Sequence, residues 1–415
     1  MALGSCITYQ NAPVDLAQDT AEWATISAAA CKSKALSCEQ MLQTGLLLNR
    51  ELNHARLKLA RSTAVADFAG LWADPAVSFE VERVFGKNIT NSAFAPCLTL
   101  PVTGLPALAK KIAEQYQEAD YWKMRETERS YMRELECLRH RIMVTHTKLQ
   151  VMQKRLDIML EEQKQLKRLH ELGEIDFGAF QVAAQRLNDT QRARKELETE
   201  HMRQRHELIE KLGLHPDVGA IELSGVLPPG VPGEVSTPTP EALLKSPALL
   251  AQKAEYGASE EELRAEIRKQ FPELGITPGY AHDDGNDQLT LGFSIPLSLW
   301  NRNREGIARA HGDRSIKQAE FISEWRSLLQ LAKLLSSEQT MLREHCADEF
   351  AELTMLDATA DKQEQLFKLG ETTILELAEA RHVAFEHRIT YLDCLGNLLV
   401  SRCKLQYLNP NHNQK

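Results

Sequence analysis

From Ala107 to Leu172 the chain runs for 66 residues without a glycine or a proline. Within that stretch Leu135, Leu138, Ile142, Leu149, Met152, Leu156 and Met159 recur at spacings of three and four, the period of one helix face. At 1.5 Å per residue the segment predicts a rod of about 100 Å. A second stretch, from about Arg302 to Leu369, predicts another of the same length. A single globular domain has no use for such rods, whereas coiled coils and helical tubes do. Ser37 to Trp72 and Ala179 to Leu212 read as helices of about half that length, so that two laid end to end match one long partner.

The two long segments belong to an internal repeat. Asn49 to Pro75 aligns without a gap on Ser246 to Pro272, placing Leu52 on Leu249 and the two prolines together. An alternating segment follows each proline and closes on LTLP at Pro101 or FSIP at Pro296. Ile112-Ala113 matches Ile307-Ala308, and Leu172-Gly173-Glu174 matches Leu369-Gly370-Glu371. The shared order of these matches, more than any one of them, identifies the repeat. Gly173 and Gly370 each follow a long helix and predict left-handed glycines that end it. Between the halves, Leu214 to Pro240 holds six prolines and four glycines and reads as an exposed linker.

The clearest strand signal is Gln288 to Leu299. Leu289, Leu291, Phe293, Ile295, Leu297 and Leu299 fall on one face, and Thr290, Gly292, Ser294, Pro296 and Ser298 on the other. This is long enough to cross a bilayer when tilted. Gly275 to His282 is the expected partner, through the turn Asp283-Asp284-Gly285-Asn286. The first repeat offers Val77, Phe79 and Val81, then Phe94, Leu98, Leu100 and Val102, around a loop at Asn88 to Asn91. A barrel interior needs about eight strands, and membrane strands must close on themselves. Four strands that span a membrane therefore require a barrel shared between subunits.

Composition excludes several other classes. A net charge of −9 argues against nucleic acid. No run of eighteen apolar residues provides a membrane helix, which says nothing against β-strands. Eight scattered cysteines without a CxxC spacing fit neither a zinc knuckle nor a dense disulfide framework. No nucleophile motif, phosphate loop or metal cluster is legible, so no catalytic residue, cofactor or metal ligand is expected. His140, His146, His201 and His206 prompt a metal-binding reading, but His201 and His206 are five apart, a poor spacing for one helix face.

The segments AGLWADPAVSFEVE (69–82), KQFPELGITPGYAHDDGNDQLTLGFSIPLSLWNRNREGIARA (269–310) and KLGETTILELAEARHVAFEHRITYLD (368–393) resemble the TolC-like outer-membrane efflux family, nearest the heavy-metal efflux and lipoprotein subgroup. The resemblance covers nearly the whole chain. It implies a homotrimer with a shared twelve-stranded barrel, four strands per subunit, in the bacterial outer membrane. A periplasmic coiled-coil tube would lie beneath it. Such a protein is a passive exit duct, not an enzyme, served by a periplasmic adaptor and an inner-membrane pump. By that analogy the adaptor docks at the tips, Leu172, Gly173, Glu174, Leu369, Gly370 and Glu371. Glu174 and Glu371 would form acidic rings favouring cations such as metal ions. Asp176-Phe177 departs from the small-residue tips more usual in the family. The six alternating residues Leu289 to Leu299 would face lipid.

Leu3-Gly4-Ser5-Cys6 resembles a lipoprotein processing site, with Cys6 the lipidated residue. No charged n-region or apolar h-region precedes it, so this reading expects a leader before Met1. The expected organisation is an extended arm over 1–36, a first repeat over 37–213, an equatorial linker over 214–240, a second repeat over 241–408 and a tail over 409–415. The fold class is mainly α with a small β part. The alternative function is a soluble coiled-coil scaffold, which has no need of six apolar residues at period two.

Overall fold

The computed structural model describes residues 9–31, 35–86, 89–219, 221–283, 285–297 and 300–410. Cys6, Ser298 and Leu299 lie outside them. The helices are α1 (Leu16–Ala30), α2 (Cys38–Leu48), α3 (Arg50–Phe68), α4 (Leu105–Glu171), α5 (Phe177–Lys211), α6 (Pro240–Leu243), α7 (Pro247–Arg268), α8 (Arg304–Leu369) and α9 (Ile374–Leu408). The strands are β1 (Ala35–Leu36), β2 (Ala76–Val84), β3 (Ile89–Leu100), β4 (Glu222–Leu223), β5 (Leu274–Asp283) and β6 (Asn286–Ser294). The repeat shows in the element lengths. The long helices hold 67 and 66 residues, and each return helix holds 35.

The residues form two units. The first comprises 1–50, 130–236 and 335–407. Its core is a ladder of leucines, with Leu135, Leu138, Leu208, Leu395 and Leu398 at most 1% exposed. Tyr131 packs into a notch at Gly45, and its hydroxyl donates to the Lys211 carbonyl at 2.9 Å. The second unit comprises 51–129, 237–334 and 408–415. In it the aligned pair Leu52 and Leu249 are both buried. Strands follow the aligned prolines Pro75 and Pro272, β2 directly and β5 one residue later.

Four expectations are corrected. The arm over 1–36 is not extended throughout, because Asp15 caps α1 by accepting from the Ala17 and Gln18 amides. The helix expected from Ser37 to Trp72 is broken at Asn49 and ends at Phe68. Asn49 takes extended angles, and its side-chain amide donates to the Lys211 carbonyl at 2.9 Å. The linker is not merely an exposed connection. Leu214 and Ile221 are buried, β4 pairs in parallel with β1, and Leu227 and Val231 pack on the core around Cys346 and Leu395. Its scattered apolar residues hold it down despite the prolines. Finally, β6 ends at Ser294, leaving Ile295 and Leu297 beyond the strand, because Pro296 has no N–H to donate to the ladder.

Candidate functional site: a two-faced sheet and paired helical tips

The sheet has the order β2-β3-β5-β6, antiparallel throughout. Residues paired across strands share a face, so the register sorts the side chains. One face carries Val77, Phe79 and Val81 of β2, then Phe94, Pro96 and Leu98 of β3. The same face continues through Ile276, Pro278 and Tyr280 of β5 to Leu289, Leu291 and Phe293 of β6. The opposite face carries Ser78, Glu80 and Glu82, then Ala93, Ala95 and Cys97. It continues through Gly275, Thr277, Gly279 and Ala281 to Gln288, Thr290, Gly292 and Ser294. One side is apolar across all four strands and the other is small or polar.

Among the described residues no helix or loop covers the apolar face. Phe79 is 68% exposed, Phe293 64% and Leu289 90%. Among the described residues neither β2 nor β6 pairs along its outer edge. Trp72 and Phe271, just before β2 and β5, are exposed, as is Trp300 after β6. Phe85 is exposed at the β2–β3 turn. These aromatics bracket the strands at both ends.

The junction between strands and helices is pinned. Arg268 donates to the Thr103 carbonyl at 2.8 Å. Arg302 and Asn303, in the WNRNR segment, take positive φ of 48° and 51°. The Asn303 amide holds that conformation by donating to the Glu266 carbonyl at 2.9 Å and to its carboxylate at 2.6 Å. Asparagine tolerates the left-handed region better than most residues.

The predicted tips come together in the first unit. After α4, Gly173 (φ 77°) donates to the His170 carbonyl and Glu174 to that of Leu169. After α8, Gly370 (φ 76°) donates to Phe367 and Glu371 to Leu366. Both are Schellman turns of the same pattern. Asp176 then caps α5 through the Ala179 amide at 2.6 Å. Thr373 caps α9 in a reciprocal box with Glu376. The Thr372 hydroxyl, first, and the Thr373 N–H hold the Glu376 carboxyl below the ordinary glutamate range. Leu166, Ile374 and Leu377 form the shared core beneath the tips, packed by Ile175, Phe180 and Phe367. Leu172 and Leu369 remain exposed, 68% and 72%, with Glu174 and Glu371 exposed beside them. Phe177, where the tip departs from small residues, is exposed as well.

Sequence reasoning missed a charged lattice beneath the tips. Glu162, buried, receives Arg155 at 3.2 Å and Arg381 at 3.0 Å. Arg381 also reaches Glu364 at 2.9 Å. Arg155 is itself buried, and burial pulls its guanidinium below its usual range. Arg155 and Glu162 stand seven apart on α4, and Arg381 of α9 ties them to Glu364 of α8, a connection between helices that no signal in the sequence joins. The histidines also sort by tertiary contact. His201 lies beside His146, ring centroids 5.7 Å apart, and not with His206. Burial holds His140 down to about 4, a neutral imidazole. Among the described residues no three His, Cys, Asp or Glu side chains cluster as metal ligands would.

Residues 239–408 match the family model described as outer membrane efflux protein. The cobalt-zinc-cadmium resistance protein CzcC of Cupriavidus metallidurans is 26% identical over 174 residues, 39% of this chain. The chain thus spans 40% of the length of the curated relative it matches. The fold extends further. CusC superposes with a TM-score of 0.75 at 15% identity, covering 90% of this chain and 92% of that one. The CmeC outer membrane channel of Campylobacter jejuni superposes at 0.76 and 11% identity, covering 99% and 94%. Residues 239–408 are thus similar to the outer membrane efflux proteins, and the chain as a whole has the fold of the outer-membrane efflux channels.

Proposed function

We propose that the chain is one of three identical subunits of an outer-membrane efflux duct. The observation that carries this reading is the two-faced sheet, whose outer strands β2 and β6 pair with no further strand among the described residues. In lipid every backbone N–H and C=O must be satisfied within the protein. The open edge of β6 is then completed by β2 of the next copy, a head-to-tail contact that closes into a ring. Two subunits reach the roughly eight strands at which a barrel interior fills with side chains. Three give the wider, open barrel a duct needs, as the family resemblance implies. The apolar face meets lipid, with Leu289, Leu291 and Phe293 as its β6 part. Ile295 and Leu297 lie past the strand toward the exposed Trp300, in keeping with an interfacial aromatic belt. The small and polar face lines the lumen.

The duct is passive, and a periplasmic adaptor and an inner-membrane pump supply direction and energy. The adaptor docks at Leu172, Gly173, Glu174, Leu369, Gly370 and Glu371, where two matching turns present exposed leucines and carboxylates. Three copies of Glu174 and Glu371 make acidic rings that favour cations. The name of the relative CzcC refers to cobalt, zinc and cadmium, and heavy-metal cations are the cargo proposed for this chain. Cys6 is proposed as a lipid anchor, tested by incorporation of labelled fatty acid that a Cys6→Ser change abolishes.

The test of the duct is fractionation followed by conductance. Expressed behind a signal peptide, the full-length chain should require detergent for extraction, migrate as a trimer and open pores in a planar bilayer. Recovery in the soluble fraction without detergent would refute the duct and favour the coiled-coil scaffold.

A further inference from the structure

Four buried cysteines stand in two facing pairs in the first unit, and the channel reading uses none of them. Cys137 on α4 and Cys403 on α9 are 4% and 1% exposed. They share a small core with Tyr407. Each thiol reaches across to the carbonyl one turn before the other cysteine. Cys137 Sγ lies 3.9 Å from the Val400 oxygen, and Cys403 Sγ lies 3.7 Å from the Arg133 oxygen. This reciprocal crossing can arise only if the two side chains face each other across the helix contact. Cys346 and Cys394 form the second pair, with one such contact, from Cys394 to the Leu342 carbonyl at 3.9 Å. All four are free thiols here.

We propose that Cys137 and Cys403 form a disulfide in the mature protein, tying α9 to α4. The inference rests on the outer-membrane reading, because that route takes the chain through an oxidising compartment. The pair also differs from its neighbour chemically. In the folded chain the neighbouring Cys403 thiol, first, and the positive charge of Lys404, Arg141 and Arg133 hold Cys137 below the ordinary thiol range. Burial raises both Cys346 and Cys394. The thiolate is the reactive form.

The oxidant is a disulfide of the thiol-oxidoreductase class. One of the two thiolates attacks one donor sulfur, forming a mixed disulfide and releasing the first donor thiol. The other thiolate then attacks the protein sulfur of that mixed disulfide and releases the second. Two protein thiols are oxidised to one disulfide, one donor disulfide is reduced to two thiols, and the protons leave on the donor. With both thiols at most 4% exposed in the folded chain, exchange takes place before α9 docks.

The experiment uses the full-length chain exported behind a signal peptide and extracted from membranes. Free thiols are alkylated in denaturant, and the unreduced protein is digested and mapped by mass spectrometry. The expected result is a linked pair of peptides carrying Cys137 and Cys403 that separates on reduction, while Cys346 and Cys394 carry the alkyl label. A Cys403→Ser variant should leave Cys137 labelled, and the parent made in the reducing cytosol should carry label on both. If membrane-extracted parent protein carries label on Cys137 and Cys403, or links Cys346 to Cys394 instead, the proposal is overturned and the duct stands. If the exported chain is soluble without detergent, the duct fails and this inference fails with it.

Discussion

Leucine 291 offers the sharpest test of which sheet face meets lipid. It sits within β6 opposite Pro278, on the apolar face and 61% exposed. Its neighbour Thr290 pairs with Gly279 and points to the other side at nearly the same depth. An arginine on the lipid face of a barrel costs about 2–4 kcal/mol at the bilayer midplane. Every subunit carries the change, so a trimer loses roughly 6–12 kcal/mol. Per subunit this is a roughly 30- to 1,000-fold fall in the ratio of folded to unfolded chains. Leu291→Arg should therefore abolish most of the detergent-resistant trimer recovered from membranes. Thr290→Arg, facing the lumen where the opposed Gly279 leaves room, should assemble within a few-fold of the parent. Denaturant titration of both proteins refolded into bilayers gives the difference directly. Equal loss from the two substitutions, or an undiminished Leu291→Arg trimer, would show that the sheet is not lipid-facing and break the argument for a shared barrel.

Glycine substitutions separate strain from collision. At Gly370 (φ 76°) an added Cβ meets nothing within 4 Å, so Gly370→Ala should cost only the left-handed penalty of about 1–2 kcal/mol. At Gly213 (φ 71°) the same atom would stand 2.8 Å from the Leu48 carbonyl carbon. Gly213→Ala should lower the thermal midpoint of the purified trimer well beyond the Gly370 variant. Glu162→Ala leaves Arg155 buried without its carboxylate and should cost about 3–5 kcal/mol in denaturant unfolding. Pairing it with Arg155→Met should recover most of that loss. Glu376 is held below the ordinary glutamate value of 4.5, so its cap contributes above that value and is lost as pH falls through the folded pKa. Hydrogen exchange at residues 372–376 should therefore accelerate under acid, and Glu376→Gln should show the faster exchange already at neutral pH.

The long helices were legible because a missing breaker is a local signal, and the tips because a glycine stop recurs at a fixed spacing. What failed had causes far off in the chain. The break at Asn49 depends on the Lys211 carbonyl, 162 residues away. Leu227 and Val231 look like spacers among prolines until Cys346 and Leu395 are brought beneath them. The apolar-face residues of β5, Ile276, Pro278 and Tyr280, include a proline and alternate with Thr277 and Gly279, so hydropathy alone ranks the strand low. Register against Leu289 and Phe293 assigns their face. In β6 the alternation itself misled, since it continues past Pro296 although the hydrogen-bond ladder cannot.

The two halves share a skeleton and differ in surface, and the return helices show why. Helices α5 and α9 both hold 35 residues. Equal length follows from equal tips and equal spacing. Yet α5 buries only Thr190, Gln204, Leu208 and Ile209. In contrast α9 buries Leu377, Phe385, Tyr391, Leu395, Leu398, Cys403 and Leu405, among others. A helix that fills a core is limited in volume and shape at most of its positions, whereas an exposed one need only remain helical and polar. The same unit therefore serves once as a packed inner element and once as an outer one. That accounts for the low identity between halves, and for the family match falling on the second half, where the core-filling helix lies. It also leaves α5 with Val182 and Met202 more than half exposed, apolar positions that a neighbouring subunit would cover in the proposed ring.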